Sequence, residues 1–243
     1  PHGEREKVLL ARGKDENSEK TAALLNEFVA RSHEILRSHP VNLERKARGK
    51  PPANIVLPRG AGVAPHLESF QARYGLSGAA VVETGLIGGI ARYLSLALPA
   101  VPGATGGYDS DELALAQAVI SALAEHDFVI CNFKAPDLAG HDGDAAKKME
   151  CIEKMDRLVG EVFAHLPGRT HLVVTADHAT PVSFRDHSGD TVPILFWGPE
   201  VRRDAVESFG ERPCASGSLG RIRGLWIMPL LTNLMGIQEK YGA

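Results

Sequence analysis

The strongest constraint on the fold is a repeated alternation. Four short, almost continuously apolar runs, SGAAVVE (77–83), DFVICNF (127–133), THLVVTAD (170–177) and TVPILFWG (191–198), are separated by longer segments. Two of those segments, DELALAQAVISALAE (111–125) and AAKKMECIEKMDRLVGEVFAHL (145–166), carry helical spacing; in the second, Met149, Ile152, Val159, Val162 and Phe163 mark the expected apolar stripe. Strands that are apolar on both faces, alternating with helices, predict an α/β fold with a mostly parallel sheet covered on both sides.

The rest of the chain is less regular. Residues 21–37 show a helical pattern through Leu24, Leu25, Phe28, Val29, Ile35 and Leu36. The basic, Pro-containing stretch SHPVNLERKARGKPPAN after them reads as a linker, with a boundary near residue 50. NIVLP (54–58) reads as one more short strand and RGAGVAP as a glycine loop. HLESFQARYG reads as a short helix, as does GLIGGIARYLSL, whose Leu86, Ile90 and Leu94 share a face. PGATGGYDSD (102–111) reads as a loop in which Asp109 or Ser110 caps the next helix. KAPDLAGHDGD reads as a loop whose Asp144 caps the helix that follows. The apolar tail LWIMPLLTNLMGI reads as a docked helix.

Bulk properties exclude several classes. A formal charge of -3 gives no general reason for a nucleic-acid partner. Cys131, Cys151 and Cys214 form no CxxC pair and leave an odd count, which points away from a disulfide framework and toward a reducing, cytoplasmic setting. No run reaches the roughly 20 apolar residues of a membrane helix, and no signal-peptide pattern opens the chain. The chain opens on PHGEREKVLL without an initiator Met, which suggests a piece of something longer.

Ligands of such sheets gather at the carboxyl ends of the strands. There the chain puts Asp137 and His141 after one run, Asp177 and His178 after another, and His187 a few residues on. Singly each has a bland reading: a strand-end Asp is usually a turn or cap residue, a loop His a surface group. Together they are costly, because carboxylates brought close repel unless a proton or cation compensates. Mixed Asp and His donors suit Zn or Mn. Five donors exceed one tetrahedral ion, and two ions about 4 Å apart form a clamp for phosphoryl transfer. Three cations could meet a phosphate: Lys134 beside the first pair, Arg59 in its glycine loop and Arg185 inside the histidine loop. For each the alternative is a surface or turn residue.

DxxxHDG, then TADH and a later His, resembles the alkaline-phosphatase-like metalloenzymes. Within them, GKPPANIVLPRGAG (49–62), PGATGG (102–107), NFKAPDLAGHDGD (132–144), ADHATP and HSGDTVPIL resemble, in order, the archaeal-type cofactor-independent phosphoglycerate mutases. The resemblance covers residues 36–243 and implies a three-layer core interrupted by a smaller inserted domain. Residues 1–50 would end that insertion and its linker, and 51–243 would be the C-terminal part of a core incomplete at its N-terminus. It implies two divalent ions (Mn, Zn or Mg) in the full enzyme, and one or none in this chain. Asp137, His141 and His187 would hold one ion; Asp177 and His178 would contribute to the other. Two further family ligands, an Asp and the serine nucleophile, have no counterpart here. The implied substrate is a small phosphorylated three-carbon acid, 3-phosphoglycerate exchanged with 2-phosphoglycerate, and the chain alone is expected to be inactive. The expected partners are an N-terminal remainder or a second copy, with no nucleic acid and no membrane. The alternatives are a related phosphatase or phosphomutase, and a non-catalytic metal-binding module.

Overall fold

A computed structural model of the chain describes residues 8–238; the first seven and last five residues of the sequence lie outside the description. The chain divides into two compact units, Pro1–Pro65 and His66–Ala243.

In the first unit, α1 (Glu16–Ser38) starts at Asp15, whose carboxylate accepts from the Ser18 N–H at 2.8 Å in a capping box. The expected linker holds a second helix, α2 (Pro40–Ala47), begun by a proline in its first turn, where a missing N–H costs nothing. NIVLP is not a strand. Its backbone is satisfied by helix side chains: Val56 N–H donates to Ser32 Oγ at 3.0 Å, and His33 Nδ1 meets the Asn54 carbonyl at 2.8 Å. The buried Asn42 amide completes this by donating to the Leu36 and Ala53 carbonyls at 2.8 and 2.7 Å. Leu24, Phe28 and Ile35, the expected apolar face of α1, are exposed.

The second unit opens with α3 (Phe70–Tyr74), capped by Ser69 and ended by Gly75 in the left-handed region. Strand β1 (Gly78–Val82) follows, then α4 (Gly85–Tyr93). Leu86 and Ile90 of α4 are exposed, and Ala91 is its buried residue. Next comes α5 (Glu112–Leu123). Its cap is Asp111, one residue beyond the expected pair, accepting from the Leu113 and Ala114 N–H groups at 3.0 Å. Strand β2 (Phe128–Asn132) leads into α6 (Ala135–Asp142) and, after the Asp144 cap, into α7 (Ala145–Ala164). Strands β3 (Leu172–Thr175) and β4 (Ile194–Trp197), a short α8 (Glu211–Cys214), a 3-10 turn (Gly224–Trp226) and α9 (Ile227–Leu234) complete the unit.

Strand direction is mixed. β1 pairs with β2 in parallel, from Gly78 opposite Phe128 to Val82 opposite Asn132. β3 pairs with β4 antiparallel, from Leu172 opposite Trp197 to Thr175 opposite Ile194. The described residues are therefore an α/β fold but not a mostly parallel sheet. The reason lies in the connections. A parallel pair needs a crossover, which α4 and α5 supply between β1 and β2; no helix stands between β3 and β4, so the chain turns straight back.

Alternate residues of β1 serve two clusters. Val81 packs with Leu115, Ala116 and Val119 of α5 and Leu158 and Val162 of α7. Ala80 packs with Phe70, Leu76, Ala91 and Leu96, and Met228 and Met235 from the α9 region lean on that cluster. The α7 stripe is rotated from the one expected. Cys151, Leu158 and Val162 are buried, Met149 and Ile152 are exposed, and half-exposed Phe163 sets its ring edge-on to Trp197 of β4 at 4.8 Å. Cys131, in β2, is half-buried, and burial pushes its thiol up to about 12. Among the described residues no helix is long and apolar enough to cross a membrane.

A polar clamp sets the β1–β2 register at its start. Asp127 accepts from Ser77 N–H at 2.9 Å and Ser77 Oγ at 2.7 Å, and these bonds hold its carboxyl below the ordinary carboxylate range. Asp127→Asn is expected to cost about 1 kcal/mol at neutral pH. A depressed folded value contributes stability above the unfolded value of about 3.9, and loses it as pH falls. The wild-type and variant urea midpoints should therefore converge on acidification. Leu115→Ala, at a fully buried site, is expected to cost about 2–5 kcal/mol by urea denaturation with an unchanged m value.

Candidate metal centre

Helix α6 is the frame of the site, and the sequence reading took it for a loop. Its signals were present but polar: Pro136 in the first turn, Gly143 at φ +73° past the end, and Ala135 and Ala139, four apart and fully buried. The same four-residue spacing puts Asp137 and His141 on one face, with His141 Nε2 at 3.5 Å from Asp137 Oδ1. The start of α6 is tied to β1 by Glu83, a residue the sequence reading passed over, which accepts from the Lys134 N–H at 2.6 Å.

The β3–β4 connection supplies the other donors. His187 Nε2 is 3.5 Å from the same Asp137 oxygen and 3.3 Å from His141 Nε2. His178 lies in contact with His187, ring centroids 3.7 Å apart, and its Nδ1 is 3.9 Å from Asp137 Oδ1. The loop closes on itself where Ser188 N–H donates to the Ala179 carbonyl at 3.1 Å, which holds the two histidines side by side. Asp177 is largely exposed, with Oδ2 3.5 Å from His178 Nε2.

Asp137 is the least exposed of these carboxylates, with 14% of its side chain accessible. Burial opposes its charge more than any other single influence. The hydrogen bonds from Lys134 and Thr180 and the charges of Lys134 and His141 together outweigh it, so its carboxyl stays below the usual range. The Lys134 ammonium contacts Asp137 Oδ2, and Thr180 Oγ1 donates to Oδ1 at 2.6 Å.

Hydrogen-bond direction shows what the cluster lacks. His141 Nδ1 is 3.1 Å from the Arg185 carbonyl. A carbonyl can only accept, so Nδ1 carries the proton and a neutral ring keeps its lone pair on Nε2. That lone pair faces a carboxylate oxygen and a second imidazole nitrogen. These atoms, 3.3–3.5 Å apart, can share either a proton on the facing ring or a cation among them. The donor set fits a divalent ion, since ligating histidines commonly anchor their other nitrogen on a carbonyl. Arg185 adopts φ +58°, unusual for a side-chain-bearing residue. Its guanidinium lies over Gly143, where an added Cβ would come within 2.3 Å of Nε.

Among the described residues, two donor groups are close enough to hold ions: Asp137, His178 and His187, and His141, Asp186 and His187. Asp186 was missed by the sequence reading. The repeated Asp-His dipeptide, 177–178 and 186–187, was the available signal; in both, the Asp carboxylate accepts from the His N–H, at 3.1 and 2.8 Å. The second unit thus gathers Lys134, Asp137, His141, His178 and His187, with Asp177 at the edge. Arg59 is exposed in the first unit and is not one of this set. Arg185 contributes its carbonyl.

The comparisons agree with this chemistry. The family model described as "Metalloenzyme superfamily" matches residues 4–234. The 2,3-bisphosphoglycerate-independent phosphoglycerate mutase 1 of Methanothermobacter thermautotrophicus is 50% identical over 227 residues, 93% of this chain and 55% of that protein. The structure of the PH0037 protein from Pyrococcus horikoshii matches with a TM-score of 0.82 and 40% identity, covering 94% of this chain and 60% of that one. The cofactor-independent phosphoglycerate mutase from Thermoplasma acidophilum matches at 0.56 and 31%, covering 96% and 57%. The chain therefore spans little more than half the length of these relatives. It belongs to the metalloenzyme superfamily and, over that share of their length, is similar to archaeal cofactor-independent phosphoglycerate mutases.

Proposed function

We propose that the whole protein is a metal-dependent phosphoglycerate mutase that interconverts 3-phosphoglycerate and 2-phosphoglycerate. The observation that carries this is the set of imidazole nitrogens facing one half-buried carboxylate, in a chain half identical to a named mutase. Asp137, His141 and His187 would hold one divalent ion, and Asp177 and His178 would contribute to a second, with Mn, Zn or Mg as the candidates. The ions would supply charge neutralisation at the transferring phosphoryl oxygens. Asp186, near His141 and His187, is a further donor beside the first of these ions.

The protein's own groups do the rest. A serine hydroxyl with no counterpart in this chain would take the phosphoryl group from one substrate hydroxyl and return it to the other, so the net change is an isomerisation. Lys134 is the cation nearest the donors. With Asp137 turned toward a metal ion, its ammonium is available to an anionic substrate. Arg59, in a glycine loop that allows close backbone approach, is a second phosphate contact in this reading. The mutase reading also takes the two packed faces of β1 as the middle of a three-layer core, with residues 51–243 its C-terminal part and residues 1–50 the end of the inserted domain. It places the working protein in the cytoplasm, completed by its remaining polypeptide.

Two measurements test the proposal. The 243-residue chain, loaded with Mn2+ or Zn2+ and dialysed, should retain metal by elemental analysis. Asp137→Asn or His187→Ala should weaken retention by at least about 100-fold, since loss of a ligand exceeds the 10–100-fold typical of its supporting partners. Retention equal to wild type in both variants would remove the site from the argument. In the full-length protein, 31P NMR should show 3-phosphoglycerate equilibrating with 2-phosphoglycerate only when metal is present. Release of inorganic phosphate instead would replace the mutase with a phosphatase. The isolated chain should show neither reaction.

A further inference from the structure

Thr180 is a buried hydroxyl that touches two of the donors. Only 4% of the residue is accessible. Its Oγ1 lies 2.6 Å from Asp137 Oδ1 and 3.2 Å from His178 Nδ1. It is also held in place from two helices. Lys148 of α7 donates to its carbonyl at 2.7 Å. Gly140 of α6 comes so near that an added Cβ would sit 2.4 Å from the Thr180 carbonyl oxygen. A side chain at position 140 would push the loop carrying Thr180 and His178 away from Asp137.

A hydroxyl has one hydrogen, and a carboxylate can only accept. The shorter contact, to Asp137, takes the hydrogen. Toward His178 the Thr180 oxygen then presents a lone pair, so Nδ1 must carry the ring proton. The opposite tautomer would set two lone pairs 3.2 Å apart in a buried position. With Nδ1 protonated, a neutral ring keeps its lone pair on Nε2, the nitrogen that faces Asp177 at 3.5 Å. From these contacts we infer that Thr180 is a positioning residue of the metal centre, fixing the tautomer of His178 so that Nε2, beside Asp177, is its ligating atom. The inference rests on the metal-site reading above and adds to it how the donors are divided. His178 Nδ1, although 3.9 Å from Asp137, is withdrawn from the group around that carboxylate and serves the Asp177 side. One hydroxyl thereby links the carboxylate of one group to the imidazole of the other.

The test compares Thr180→Ser, which keeps the hydroxyl, with Thr180→Val, which keeps the shape and loses it. Long-range 1H–15N correlation of the histidine rings, on the metal-free 243-residue chain at about pH 8, where a free imidazole is neutral, reports which nitrogen is protonated. Zn2+ affinity is measured in parallel by competition with a chromophoric chelator. Wild type and Thr180→Ser should show His178 protonated at Nδ1. Thr180→Val should shift the ring toward the Nε2-protonated form and lose roughly 10–100-fold in Zn2+ affinity, with the serine variant close to wild type. An Nε2-protonated His178 in the wild-type chain overturns the inference, as does an unchanged affinity in Thr180→Val. Should Thr180→Val fail to fold, the wild-type tautomer and the serine rescue still decide the matter. A wild-type chain with the Nδ1 tautomer that binds no Zn2+ overturns the metal-site reading, and the role of Thr180 with it.

Discussion

The structure of the second unit turns on a carboxylate that is mostly closed off from water and surrounded by nitrogen. Asp137 has imidazole atoms at 3.5, 3.5 and 3.9 Å, an ammonium on its other oxygen and a hydroxyl at 2.6 Å. No apolar packing argument would bring such groups together. The scaffold has to hold them against their desolvation, and its local features can be read as the means. Gly140 allows the β3–β4 loop to approach α6. Lys148 reaches from α7 to secure that loop. Arg185 takes a left-handed backbone and turns its carbonyl to His141. Glu83 ties the first residue before α6 to the end of β1.

The antiparallel return of β4 belongs to the same arrangement. A parallel connection would have carried the chain away from the carboxyl end of β3 before the next strand. The direct return keeps residues 176–193 at that end, so that two Asp-His pairs, nine residues apart in sequence, face α6 together. The expectation of a mostly parallel sheet failed at this point, and failed for a functional reason. Apolar content identifies a strand but says nothing of its direction, and direction is decided by what the connecting segment must do.

What could be read from the sequence follows the same division. β1, β2, β3, β4, α5 and α7 were legible because burial leaves a periodic apolar trace. The failures were of two kinds. Some segments are ordered by polar contacts, which leave no such trace: NIVLP is held by Ser32, His33 and Asn42 side chains, and α6 carries its function on the face a pattern search would call solvent. In α1, α4 and part of α7 the expected helix is present, and it is the expected apolar face that stays exposed among the described residues. For the site, residue type was enough to nominate Asp137, His141, Asp177, His178 and His187. Asp186, Thr180 and the Arg185 carbonyl were not legible, because their part depends on orientation: a neighbouring carboxylate, a hydroxyl set between a carboxylate and an imidazole, and a backbone dihedral.

The energetics of such a centre connect binding with order. The loop holding His178 and His187 is tied to α6 through Thr180 on Asp137 and His141 on the Arg185 carbonyl, and to α7 through Lys148, and it closes on itself at the Ala179–Ser188 bridge. An ion that binds only the assembled arrangement stabilises it by mass action, by about 2.7 kcal/mol at a free concentration one hundred times its dissociation constant. That is comparable to the loss of one large core side chain, and it acts where the apolar core does not reach. α6 is packed on α7, while His178 and His187 hang on a loop between two four-residue strands. Cation binding therefore joins the helical half of the unit to the β3–β4 half, and the same donors that make the chemistry available complete the tertiary structure that presents them.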